Sequence, residues 1–229
     1  VKNKALKLAS ILLEKPEDEL ELSDGAVRAR SDSNQFITLA DLALQLSPAV
    51  AGKLPEGFET AGLEAVSYQT TDYMPHSSGA NIAKVEVDVV TGGIKILDYY
   101  VVHDCGRILN PMIVDGQIIG GVVHGIGNAM FEQMVYDDSG NPMTTNYGDY
   151  LLPLASEMPE IHVAHIETPS PANPMGLKGA GEGGTIPAIG AMINAIEDAL
   201  TPFDAYIAKY PVTPEYILEL VDGEKMAAE

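Results

Sequence analysis

The sequence predicts an α+β fold in which mixed, mainly antiparallel sheets pack with helices. Three observations carry this expectation. Apolar residues recur at helical spacing in some segments and alternate in others. Turn dipeptides join neighbouring alternating runs into hairpins. Helices and hairpins follow one another without regular βαβ alternation, which argues against a doubly wound sheet.

Each element has its own signal. Ala5, Leu6, Leu8, Ala9, Leu12 and Leu13 mark an amphipathic helix that ends near Pro16. Residues 20–23 and 26–30 read as a hairpin around Asp24-Gly25, a dipeptide suited to a tight primed turn. Residues 38–46 predict a short helix stopped by Ser47-Pro48, and 58–69 predict extended chain. A stronger hairpin joins 83–90 to 94–102 through Thr91-Gly92-Gly93.

Asn110-Pro111 then opens a helix expected to run to about residue 134, with Asn110 as cap and Pro111 in the first turn. Gly116, Gly120, Gly121, Gly125 and Gly127 fall inside it. Each glycine in an exposed helix costs roughly 0.8–1 kcal/mol relative to alanine, so the five imply close packing against another backbone or a ligand, or else a broken helix. A third hairpin is expected over 134–145, a strand over 161–167, a helix over 186–200 capped by Thr185, and a last helix over 213–220 with a frayed tail after Gly223.

At 229 residues the chain suffices for one large domain or two small ones. Its formal charge of -20 argues against nucleic acid and anionic membrane as partners. No apolar run approaches the roughly 20 residues of a membrane helix. Cys105 is the single cysteine, which excludes an internal disulfide, a cysteine zinc site and an iron–sulfur cluster held by this chain. Cys105 itself is expected to be packed. His162 and His165 read as surface or packing residues rather than metal ligands.

The most informative stretch is Gly176-Leu177-Lys178-Gly179-Ala180-Gly181-Glu182-Gly183-Gly184, which follows the stiff segment Thr168-Pro169-Ser170-Pro171. Glycines clustered this way indicate unusual dihedrals or a ligand pressed against main chain. Residues 179–184 formally match G-x-G-x-x-G, but a dinucleotide fingerprint must follow a buried strand, and here a proline-rich polar segment precedes it. What survives is a set of amides at a helix N-terminus, suited to anionic or carbonyl-bearing groups. Glu182 has two readings: a carboxylate that satisfies loop amides and the helix dipole, or a buried general base, whose pKa burial raises toward neutrality.

Three segments together resemble a known family, the molybdenum hydroxylases of the xanthine oxidase type, which include aldehyde oxidoreductases and aerobic carbon monoxide dehydrogenase. They are Asp104-Cys105-Gly106-Arg107 with Asn110-Pro111, Gln117-Ile118-Ile119-Gly120-Gly121 and His124-Gly125-Ile126-Gly127; then Thr168-Pro169-Ser170-Pro171 before Pro174-Met175-Gly176; then Gly176-x-Lys178-Gly179-x-Gly181-Glu182.

The resemblance implies that residues 1–229 form a C-terminal portion of the large molybdopterin-binding subunit, divisible into two subdomains and inactive without the rest. It implies Glu182 as general base beside molybdenum, Gln117 as a side-chain contact to the molybdopterin, and Lys178, Gly179, Ala180 and Gly181 as main-chain contacts. The metal needs no protein ligand, because the cofactor's dithiolene holds it. It further implies the cytosine dinucleotide form of the cofactor, a small organic substrate of N-heterocycle or aldehyde type, and partner chains carrying [2Fe-2S] clusters and FAD in a cytoplasmic heteromeric complex. Two other classes stay open: a non-catalytic assembly module with the same fold, and an unrelated sugar- or nucleotide-binding domain.

Overall fold

The computed structural model describes residues 1–49, 54–71 and 73–227. The chain divides into two compact units, Val1–Thr70 and Thr71–Glu229.

In the first unit, helix α1 (Lys2–Leu13) ends where Glu14 turns left-handed, with φ 53°. Strands β1 (Leu20–Ser23) and β2 (Ala26–Ala29) form the expected hairpin around Asp24-Gly25. A third strand, β3 (Asp32–Thr38), pairs antiparallel with β2, and the sequence reading does not include it. Its polar run is largely exposed, so it shows no alternation for a sequence reading to find. Helix α2 (Leu39–Gln45) follows, and the Thr38 side chain accepts from the Asp41 amide. Ala5, Leu8 and Ala9 of α1 close a small core with Leu20, Val27 and Leu42.

Residues 58–69 form no strand. Their neighbourhood is tied instead by lysines of α1: Lys4 Nζ donates to the carbonyls of Thr60 (3.1 Å) and Gly62 (2.6 Å), and Lys7 Nζ to that of Gly57 (2.7 Å). Main-chain groups satisfied in this way need no strand partner.

The second unit is built on a three-stranded sheet of order β4-β5-β6, where β4 is Ser78–Val87, β5 Ile94–Asp104 and β6 Ile161–His165. β4 and β5 are antiparallel, while β6 joins β5 in parallel, aligning Tyr99 with Ile161 and His103 with His165. β4 begins five residues before the expected start, paired through Ser78↔Asp104. Residues 134–145 make only one bridge, Tyr136↔Pro142, around a turn in which Asp137 Oδ1 accepts from the Ser139 and Asn141 amides.

Helix α3 (Pro111–Met130) is continuous, so its five glycines do not break it. It stops before 134 because the Phe131 and Glu132 amides both turn back to the Gly127 carbonyl. Helix α4 (Thr185–Ala199) has Gly184, not Thr185, at its cap position, with no side-chain cap. A side chain there is impossible: a Cβ on Gly184 would lie 2.3 Å from the Ile118 carbonyl oxygen. Helix α5 (Pro214–Ala227) starts where expected, its Tyr216 amide bonded to Thr213 Oγ1, and continues past Gly223.

The core of this unit follows from helical periodicity. Ile118, Val122, Ile126 and Ala129 of α3 meet Ala188, Met192 and Ile196 of α4 over Tyr99 and Val101 of β5. Burying an Ile or Met this fully stabilises by roughly 1.5–3 kcal/mol each. Contact between α3 and α4 is close because Gly121 and Gly125 carry no side chain; a Cβ on Gly125 would lie 2.6 Å from Ala188 Cβ. This fixes the N-terminus of α4 against the middle of α3.

Candidate functional site

Two motif segments distant in sequence are joined by main-chain bonds just beyond β5. Lys178 N donates to the Cys105 carbonyl (2.8 Å) and Arg107 N to the Gly176 carbonyl (3.0 Å), with Gly106 and Leu177 forming an antiparallel bridge. Gly106 and Gly176 both have φ +71°, where an L side chain would be strained. Asn173 locks the same turn, exchanging bonds of 2.8 and 2.9 Å with Leu177 main chain.

Asp104 is the hub of this junction. Its carboxylate accepts from the Thr168 hydroxyl, the Thr168 amide (3.2 Å), the Gly106 amide (2.8 Å) and Lys178 Nζ (2.9 Å). Burial opposes its charge, but the bonds from the Thr168 hydroxyl, Gly106, Lys178 and the Thr168 amide outweigh burial and hold the carboxyl well below its ordinary 3.8.

The glycine loop leaves this clamp and lines a cleft of about 650 Å³. Residues 74–79 and His103 line the same cleft. Of the residues expected at a site, Gly179, Ala180, Gly181 and Glu182 line this cleft together. Positions where side chains would project from Gly179 and Gly181 meet nothing within 4 Å, so main chain is open to close approach there. The expected free amides at the N-terminus of α4 are not there: Thr185 N and Ile186 N are bonded to the Glu182 carbonyl, and Pro187 has no N–H.

Gln117 and Lys178 lie elsewhere. Gln117 is on an exposed face of α3 and does not line the cleft. Lys178 is drawn inward: its ammonium bonds Asp104 and Thr168 (2.5 Å) and its amide bonds Cys105, so it braces the loop. Glu182 is exposed, contrary to the expectation of a buried acid. Its carbonyl accepts the Thr185 and Ile186 amides (3.1 and 3.2 Å), which anchors the main chain to α4 and leaves the side chain at the open rim.

His103 is a site residue that the sequence reading misses. It is 1% exposed, and both ring nitrogens are buried without a hydrogen-bond partner. Burial, reinforced by His165, lowers its pKa from the usual 6.5, and Asp104 opposes this. The available signal is a polar residue in register with the inward-facing Tyr99 and Val101 of β5. His162 stacks on Tyr100, and His165 Nε2 lies 2.6 Å from Asp115 Oδ1. No cluster of three metal-ligating side chains occurs among the described residues. Cys105 is buried, as expected. A second cavity of about 690 Å³, beside Met130 and Val212, contains none of the expected site residues.

Residues 1–159 match the family described as the molybdopterin cofactor-binding domain. The chain belongs to this family. Among curated relatives, this molybdopterin-binding chain is 40% identical to the nicotine 6-hydroxylase large subunit of Paenarthrobacter nicotinovorans, over 97% of the chain and 27% of the relative. It is 37% identical to the carbon monoxide dehydrogenase large chain of Hydrogenophaga pseudoflava, over 86% of the chain and 24% of the relative. Its fold is similar to carbon monoxide dehydrogenase from Oligotropha carboxidovorans, with TM-score 0.75 and 30% identity over 99% of this chain and 28% of that one. It is also similar to quinoline 2-oxidoreductase from Pseudomonas putida 86, with TM-score 0.69 and 33% identity over 96% and 28%. These relatives are oxidoreductases, and the chain spans about a quarter of their length. No helix among the described residues is long and apolar enough to cross a membrane.

Proposed function

We propose that this chain is a portion of the large subunit of a molybdenum-dependent hydroxylase of the xanthine oxidase type, with Glu182 as its general base. The observation that carries this is the cleft where Glu182 and the bare main chain of Gly179 and Gly181 meet. The residues fit a molybdopterin: it needs close main-chain approach, and the loop over Gly179 and Gly181, where a side chain would meet nothing within 4 Å, leaves main chain open to it beside the cleft. Gly116 and Gly120 on α3 likewise meet nothing within 4 Å, which leaves that helix open beside Gln117.

In this reading Gly179, Ala180 and Gly181 hold the cofactor by main chain, and Gln117 reaches it with an amide able to donate and accept. Lys178 acts through the loop, keeping residues 176–179 clamped to Asp104. The cofactor, expected as the cytosine dinucleotide form, supplies a metal that takes two electrons per turnover. Glu182 accepts the proton released as a water-derived oxygen bonds to an electron-poor carbon of the substrate. The electrons leave through [2Fe-2S] and FAD partner chains, for which this chain has no cysteine set of its own. Relatives named for nicotine and quinoline favour an N-heterocyclic substrate over an aldehyde.

The exposure of Glu182 favours a second reading, an assembly module that retains the fold without chemistry. Co-expression with the remaining large-subunit polypeptide and candidate partner chains separates the two. The enzyme reading predicts a complex containing molybdenum, visible iron–sulfur absorbance and hydroxylation of an N-heterocycle, with no turnover by this chain alone. A complex active without molybdenum contradicts it.

A further inference from the structure

His103 lies 1% exposed beside the glycine loop, with neither ring nitrogen hydrogen-bonded. Its place in the fold is defined by three contacts. It aligns with His165 on the parallel strand β6, its main chain accepts the Ile166 amide at 3.0 Å, and its ring presses on Gly183 from below. A Cβ on Gly183 would lie 2.1 Å from Nε2 and 2.6 Å from Cδ2, so the ring occupies the space a side chain there would need. Gly183 does not have a positive φ, so space rather than backbone conformation demands a glycine.

The residues flanking the ring are fixed: His165 Nε2 lies 2.6 Å from Asp115 Oδ1, and the next residue in the chain, Asp104, is pinned by four hydrogen bonds. The titratable groups acting on His103 are His165, which is bonded to Asp115, and Asp104, which is bonded to Lys178; Glu182 lines the same cleft. A group that only filled this space would do so at lower cost with an apolar side chain, because both imidazole nitrogens are buried unpaired.

We propose that His103 is a positioning residue for Glu182: its buried ring packs against Gly183, and through it supports the turn that carries Glu182 at the cleft. The proposal rests on the reading of Glu182 as the base.

Its test uses the assembled complex. Amide hydrogen exchange across residues 179–185 and steady-state kinetics are measured for wild type, His103→Ala, Gly183→Ala and the double variant, with molybdenum content as control. His103→Ala is expected to raise exchange in that segment alone and to lower kcat by about tenfold or more with KM nearly unchanged, as a misaimed catalytic group does. In the double variant the methyl introduced by Gly183→Ala refills the vacated space, so the combined loss is smaller than the product of the single losses.

Unchanged exchange and kcat in His103→Ala, or losses that simply multiply, overturn the proposal. Where His103→Ala fails to assemble, His103→Asn gives the same comparison with a smaller cavity. Glu182→Gln measured alongside keeps the two ideas apart. Full turnover in that variant sinks the base reading, whereas the exchange data still decide whether His103 supports the turn.

Discussion

Lys178 Nζ lies 2.9 Å from Asp104 Oδ2, joining two motif segments 74 positions apart. Both side chains are largely shielded, with 14% and 11% exposure, so the pair is not a solvent-screened surface bridge. It explains why a lysine belongs in a glycine-rich loop: it fastens the loop's base so that Gly179, Ala180 and Gly181 can stay bare.

Lys178→Met removes one charged donor from Asp104 and leaves it the Thr168 hydroxyl and the Thr168 and Gly106 amides, so it is expected to destabilise by about 1.5–3 kcal/mol, the usual worth of a hydrogen bond to a charged group. Thermal unfolding checks this. A melting temperature within a degree of wild type contradicts the clamp.

Asp104 also gives a signed pH dependence. Its carboxyl is held below the ordinary 3.8, so the unfolded chain binds the proton more readily than the native one. The stability it contributes is complete above about 3.8 and disappears as pH falls through the lower native value. His103 has the same sign in a higher window, since its lowered pKa favours the neutral ring and its contribution begins to fall below 6.5. Denaturant titrations at successive pH values should show a shallow loss starting near 6.5 that His103→Asn removes, and a steeper acid loss that Asp104→Asn removes.

The helix glycines divide into two groups with opposite predictions. Gly125→Ala drives a methyl into Ala188 and the Thr185 carbonyl and is expected to cost about 1–3 kcal/mol. Gly120→Ala meets nothing and is expected to stabilise α3 by about 1 kcal/mol through helix propensity. If α3 approaches the cofactor at Gly120, the same substitution lowers molybdenum content in the complex. Stabilisation with full metal content would place the cofactor away from that face.

Much of the fold is legible because local signals agree with tertiary packing. Asn110-Pro111 predicts the start of α3 and the Asp24-Gly25 turn predicts its hairpin, since caps and turns depend on a few neighbouring residues. β3 is invisible because an exposed polar strand has no alternating pattern, and its pairing is set by β2. The segment 58–69 forms no strand, and the bonds from Lys4 to its Thr60 and Gly62 carbonyls, more than 50 residues away in sequence, have no local signal. At the candidate site, glycine clustering points to the right loop, but side-chain directions stay hidden. Lys178 turns to Asp104 rather than to the cleft, and His103 lies beneath Gly183, relationships fixed by long-range contacts alone.

The central claim is that the Glu182 carboxylate takes the proton during substrate hydroxylation. The most direct test is single-turnover kinetics of Glu182→Gln in the assembled complex, at molybdenum content equal to wild type. The account predicts a rate lowered by about 10²–10⁴-fold, the span a positioned general base contributes, with substrate affinity little changed. A rate equal to wild type contradicts it.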